Sequence, residues 1–428
     1  MVSLMPLDFE LRDHTLDNGL RVVVAPDPSV PIVAVNLWVN VGSRHEQPGR
    51  TGLAHLFEHL MFQGSRNVAE GEHMRALMGH GARLNATTWF DRTNYFETVP
   101  TGVLDLALWL EADRHGYLLD AVTQTCLDNQ RDVVKEEKQQ RYDNRPYGHA
   151  LEDLYALIFP DGHPYQHSTI GSMDDLDAAT LDDVHAFYKQ HYGPDNTVLT
   201  LVGDVGADEA IALADKYFGG LPRVGVQLAP PTAPLPALTE PLRFERVDDV
   251  PADRLHLGFR LPPDHTREFL VAEAAMDILA GLATSRLYRR AVRGEQAATH
   301  MSRSAMGLVD GVSLGLLVAD VADDSSVPQL ESLICEELDR LADEGPTEAE
   351  MKTAFVDFER GWLQGLAVHE ERADTISHYT LLHDDPQFVN TYLDDAATVT
   401  ADEVRQVADT WLRPQSRAVV VHKKGDAA

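Results

Sequence analysis

Two extended runs near the start of the chain, Leu20–Ala25 and then Ile32–Val41 with its alternating apolar residues, read as strands. Pro26–Pro31 between them is turn chemistry, so the two runs are expected to pair antiparallel. The period then changes to that of helices at Thr51–Phe62 and Glu72–His80. A strand pair is expected at Arg83–Thr88 and Tyr95–Val99, turning at Asp91-Arg92. Long helical patterns fill Val103–Leu119 and Thr123–Tyr142, followed by a helix at Leu181–Tyr192 and a strand at Thr197–Val202. Strands and helices mix without strict βαβ alternation, which predicts an α+β fold of mostly antiparallel sheet with helices packed on it.

The stretch 223–240 is rich in proline, which neither a helix interior nor a central strand tolerates, and reads as a linker between domains 1–222 and 241–428. The two sides echo each other. Thr180-Leu-Asp-Asp-Val184 opens a helix, with Pro194 and a strand following, and Thr400-Ala-Asp-Glu-Val404 leads in the same way to Pro414 and a strand. In both, Thr suits an N-cap with an acid in the first turn. LWLEADRHG and LICEELDRLADEG form a second echo. A duplicated α+β domain follows.

Length and composition fit this reading. The 428 residues suffice for two domains, and 44% hydrophobic content supports a sizeable core. The formal charge of −32 argues against nucleic acid as a partner and favours cationic substrates if acids line a cavity. No apolar run is long enough to span a membrane and no secretory signal is visible. Two isolated cysteines, Cys126 and Cys335, suit a reducing compartment, so a cytoplasmic protein is expected.

The chemistry is concentrated in Thr51-Gly-Leu-Ala-His55-Leu-Phe-Glu58-His59-Leu-Met-Phe62. Two histidines four apart project from one helical face and can bind one Zn²⁺ through their ring nitrogens. Leu53, Leu56, Phe57 and Leu60 anchor the opposite face. Thr51 is positioned to cap the helix, and Gly64 lies past its end. Glu58, beside His59, can act as general base toward water. H-x-x-E-H inverts the commoner zinc-peptidase order. A catalytic zinc takes a third protein ligand, and the helix Asp128–Lys138 offers several carboxylates, with Val133 and Val134 turning one side to the core.

HLFEH, followed 77 positions after His59 by Glu136, resembles the pitrilysin/insulysin family of inverted-motif zinc metallopeptidases. GSR at 42–44, GARLNATTWFDRTNYF, VVKEEKQQRYDNRPYG and SRLYRR at 285–290 extend the resemblance to both halves. The pattern is most similar to the short, two-domain bacterial type and to the mitochondrial processing peptidase. The resemblance implies that Glu136, rather than Glu137, is the third ligand. It implies that Arg83–Thr88 is an edge strand pairing with substrate backbone, with Asn85 and Ala86 beside the scissile bond. It also implies that the second half, which lacks H-x-x-E-H, is non-catalytic, giving one zinc per chain. Scaffold relatives usually carry a degraded motif, and this one is intact, so a zinc endopeptidase acting on peptides or unfolded polypeptides is expected.

Two departures matter. The family's glutamate seven positions before the distal ligand is replaced by Asn129. Its Arg/Tyr substrate element reads VRGEQAATH here, supplying Arg293 but no tyrosine. Because the family closes its chamber with four such domains, this chain is expected to pair with a homologous two-domain chain. A heterodimer whose partner carries the Arg and Tyr is favoured, with a homodimer as the alternative.

Overall fold

The computed structural model describes residues 7–224 and 233–425; within the expected linker, 225–232 lie outside the described residues. The first half of the chain forms β1 (Arg12–Thr15), β2 (Arg21–Pro26), β3 (Ile32–Val39), α1 (Leu53–Leu60), α2 (Glu72–Met78), β4 (Arg83–Thr88) and β5 (Thr93–Pro100). It continues with α3 (Leu104–Tyr117), α4 (Gln124–Lys138), α5 (Ala150–Ile158), α6 (Met173–Ala178), α7 (Leu181–His191), β6 (Thr197–Gly203) and α8 (Ala207–Phe218). The second half forms β7 (Leu242–Asp248), β8 (Arg254–Leu261), α9 (Arg267–Ala280), β9 (Ala298–Met306), β10 (Ser313–Val321), α10 (Val327–Glu344) and α11 (Glu348–Leu366). It closes with α12 (His369–His383), α13 (Phe388–Ala397), α14 (Ala401–Trp411) and β11 (Arg417–Lys424).

Two sheets result, ordered β1-β2-β6-β3-β5-β4 and β7-β11-β8-β10-β9. β2–β6 and β7–β11 are parallel and every other pair is antiparallel. The second sheet therefore repeats strands two to six of the first in order and direction, as a duplicated α+β domain requires. One expectation is corrected. β2 and β3 are not neighbours, because β6 lies between them and pairs with both. A turn as long as Pro26–Pro31 can cross an intervening strand, and local turn chemistry does not register that.

The repeated helix starts behave alike. The Thr180 hydroxyl accepts from the Asp183 N–H at 3.2 Å while the Asp183 carboxylate accepts from the Thr180 N–H at 3.0 Å. Thr400 and Glu403 repeat this at 3.3 and 2.8 Å. The second echo has a counterpart too. Glu111 on α3 and Glu337 on α10 are both buried, and each meets an arginine three residues on, Arg114 and Arg340.

The packing units are not the contiguous halves of the chain. One unit consists of 7–137, 168–224 and 362–392, and the other of 138–167, 233–361 and 393–425. In the first, Leu104, Leu108 and Phe218 from α3 and α8 cover one face of the sheet. The other face, with Val23, Ala34 and Val202, packs against Ala373 and Ile376 of α12, which comes from the second half of the sequence. In the second unit, α5 from the first half packs on β7, β8 and β11, and its Asp153 pairs with Arg246 at 2.7 Å. Among the described residues no helix is long and apolar enough to cross a membrane.

Candidate metal site

Helix α1 carries the histidines, and its start is set by tertiary contacts. Thr51 does not cap it. The Thr51 hydroxyl donates instead to Asp175 at 2.6 Å, and the N-cap is Gly52 at φ 85°. A Cβ at Gly52 would lie 2.6 Å from the Ile170 carbonyl oxygen, so only glycine fits this left-handed position. The helix's first N–H groups are satisfied by a buried glutamate that sequence reading missed. Glu46 accepts from Gly52 N–H at 2.9 Å and from Ala54 N–H at 2.7 Å; these bonds favour its carboxylate, but burial outweighs them and pushes its pKa up to about 8. Leu53, Leu56, Phe57 and Leu60 are buried as expected.

With that face fixed, the two imidazoles turn together to the other side, ring centroids 4.8 Å apart. The carboxylate that meets them is Glu137, not Glu136. Its Oε2 lies 3.3 Å from His59 Nε2 and 3.7 Å from His55 Nε2. Glu136 is exposed. The reason is the phase of α4. Leu127 and Val134 are its buried residues and Val133 is exposed, so the core face is narrower than the pair of valines suggests. At about 100° per residue, Glu136 lies roughly 200° around from Val134, whereas Glu137 lies within about 60° of it. The same phase leaves Asn129 exposed and puts the half-buried Gln130 seven positions before Glu137.

His55, His59 and Glu137 offer one ligand atom each, all within 4.8 Å of one another. Donor atoms about 2.0–2.1 Å from a tetrahedral Zn²⁺ stand about 3.3 Å apart, so the spacing fits such an ion. The three side chains are 12%, 21% and 17% exposed, sheltered but open on one side. Glu58 stands on the same helix. Burial raises its pKa, while the hydroxyl of Thr88, donating to Oε2 at 2.6 Å, and the charges of His59 and Arg92 favour the carboxylate.

β4 is the end strand of its sheet, hydrogen-bonded only to β5 among the described residues, and it lies against α1. Asn85 is exposed along it and Ala86 is buried. Arg293 belongs to the other packing unit. It is exposed, with its guanidinium 5.6 Å from the ring centroid of Tyr288, a tyrosine that lies upstream of the VRGEQAATH string.

Comparison with known proteins agrees with this chemistry. Residues 21–171 match the family described as Insulinase (Peptidase family M16), and residues 178–355 match the Peptidase M16 inactive domain. A curated relative, the zinc protease PqqE of Helicobacter pylori, is 28% identical over 419 residues, covering 96% of this chain and 92% of its own. The crystal structure of a protease from Helicobacter pylori superposes with a TM-score of 0.90 at 26% identity, covering 97% of this chain and all of that one. A probable mitochondrial-processing peptidase subunit beta from Schizosaccharomyces pombe is 29% identical over 220 residues, 50% of this chain and 46% of that protein.

Proposed function

This chain belongs to the insulinase family of peptidases, M16, and from that premise we propose that it is a zinc-dependent endopeptidase whose ion is held by His55, His59 and Glu137, with Glu58 as general base. The observation that carries the reading is the convergence of both Nε2 atoms on one carboxylate oxygen of a distant helix. When bound, zinc supplies Lewis acidity toward water and the peptide carbonyl. Glu58 takes the proton of the attacking water and returns it to the leaving nitrogen. The outer edge of β4 offers backbone groups to an extended peptide, which binds by strand addition with loose sequence demand. The N-terminal match to Insulinase and the C-terminal match to the inactive domain support one working site per chain.

The test is Glu58→Gln. The amide keeps the shape but cannot accept the proton, so turnover of a fluorogenic peptide should fall by about 10²–10⁴-fold with zinc content unchanged. Near-normal turnover would remove Glu58 from this role.

The finer reading is a chamber formed by two chains around the peptide. Flexible peptides should be cleaved and compact folded proteins spared. A heterodimer in which the partner brings the Arg/Tyr element is supported by the missing tyrosine in VRGEQAATH. The homodimer draws on Tyr288 beside Arg293. Activity of the purified chain alone separates them: vigorous hydrolysis, unchanged by a homologous partner chain, selects the homodimer.

A further inference from the structure

Glu58 is gripped by a side chain 30 residues further along, on a different element. We propose that Thr88 is a positioning residue for Glu58. Its hydroxyl holds Oε2 of the carboxylate, so that Oε1 is presented for proton transfer. The proposal rests on the reading of Glu58 as the base. At 2.6 Å, an O–H donating to a carboxylate is a strong, charge-assisted bond. Thr88 is 9% exposed, so little water competes for the contact. As a β-branched residue it is stiff at χ1, and a stiff donor fixes the carboxylate plane better than a flexible one.

Thr88 is itself fixed from both sides of the sheet. It is the last residue of β4 and pairs with Thr93, whose hydroxyl donates to the Val41 carbonyl at 2.8 Å. Its neighbour Thr87 points to the opposite face. There the Thr87 hydroxyl donates to Asn94 Oδ1, and the Arg92 guanidinium donates to the Thr87 carbonyl at 3.0 Å and to Asn94 Oδ1 at 3.2 Å. The Asn94 amide donates in turn to Asp374 on α12 at 3.0 Å. The end of β4 is thus tied to Glu58 on one face and to α12 on the other. The strand that receives the peptide in the reading above also orients the base, so substrate register and base geometry share one rigid element.

The experiment compares Thr88→Val and Thr88→Ser with the parent protein, measuring zinc content, kcat and KM on a fluorogenic peptide. A misaligned base costs rate rather than binding. Thr88→Val should therefore lower kcat by about tenfold or more, with KM within about twofold and zinc unchanged, and Thr88→Ser should restore kcat. If Thr88→Val proves insoluble, Thr88→Ala serves in the same assay. A second readout uses the metal-free protein. The drop in Tm caused by Thr88→Val should shrink or vanish in a Glu58→Ala background, because the two residues spend their stability on one contact. Unchanged kcat in Thr88→Val, no recovery in Thr88→Ser, or additive Tm shifts would overturn the proposal. Retained turnover in Glu58→Gln would remove the base itself, whereas additive Tm shifts with Glu58→Gln inactive would remove only the contact with Thr88.

Discussion

At the scale of single residues, the site turns on the difference between Glu136 and Glu137. A resemblance measured by residue spacing selected the first, and the rotation of α4 brings the second to the histidines. The signal was present in the sequence. Leu127 and Val134 are seven apart, two helical turns, and they define a buried line that Glu137 lies near and Glu136 does not. Counting along the chain missed it because adjacent positions on a helix point about 100° apart. Glu137→Gln should lose most of its zinc after dialysis against a weak chelator, while Glu136→Gln keeps it. Elemental analysis of the two purified, folded variants decides, and the reverse pattern would restore Glu136 as ligand. Glu46 and Thr88 left no comparable signal. Each reaches its partner from another segment: Glu46 from the loop before α1, and Thr88 from the strand that packs against it.

At the scale of elements, helices and strands were legible because their periodicities are local. Thr180 and Thr400 cap their helices as the sequence implied, with the acidic residue at the third helical position closing each box. Glu403 goes further. The Arg267 guanidinium, bonded to its carboxylate, and the Thr400 cap together hold its pKa down to about 2. A carboxylate depressed below its unfolded value contributes stability above pH about 4.5 and loses it as pH falls toward 2. Glu403→Gln keeps the capping box, because a glutamine oxygen also accepts from the Thr400 N–H, but loses the charge paired with Arg267; stability near neutrality should fall by no more than about 1 kcal/mol, and the fall of Tm between pH 4.5 and 2 should flatten. A variant whose acid limb matches the parent's would show that Glu403 does not drive that limb. The pairing of β2 with β3 was illegible for the opposite reason: whether a third strand slips between two others depends on a segment far along the chain.

At the scale of the whole molecule, the sequence halves and the packing units diverge. The sheet that supports α1 and β4 is completed by α12, whose Ala373 and Ile376 cover Val23, Ala34 and Val202. A fragment ending at residue 222 should therefore expose that apolar face, bind a hydrophobic dye and fail to hold zinc, although every motif residue is in it. Cooperative unfolding and full zinc content in this fragment would show that α12 is dispensable. The charge of −32 belongs to this scale as well: if acids line the site, cationic peptides should be cleaved faster at low salt than at high salt, and rates measured across a salt series check this. By itself the sequence determined the α+β class, the duplication and the inverted histidine pair with Glu58 between its members, because each is written in short-range periodicity or in a compact motif. Tertiary structure alone decided that α4 meets the histidines of α1, what caps the metal helix, what grips Glu58, and which helix covers which sheet. Apart from the Glu46 cap, six and eight residues from its partners, those are contacts between segments tens to hundreds of residues apart, set by helix phase and by the burial of apolar faces, and no local pattern encodes them.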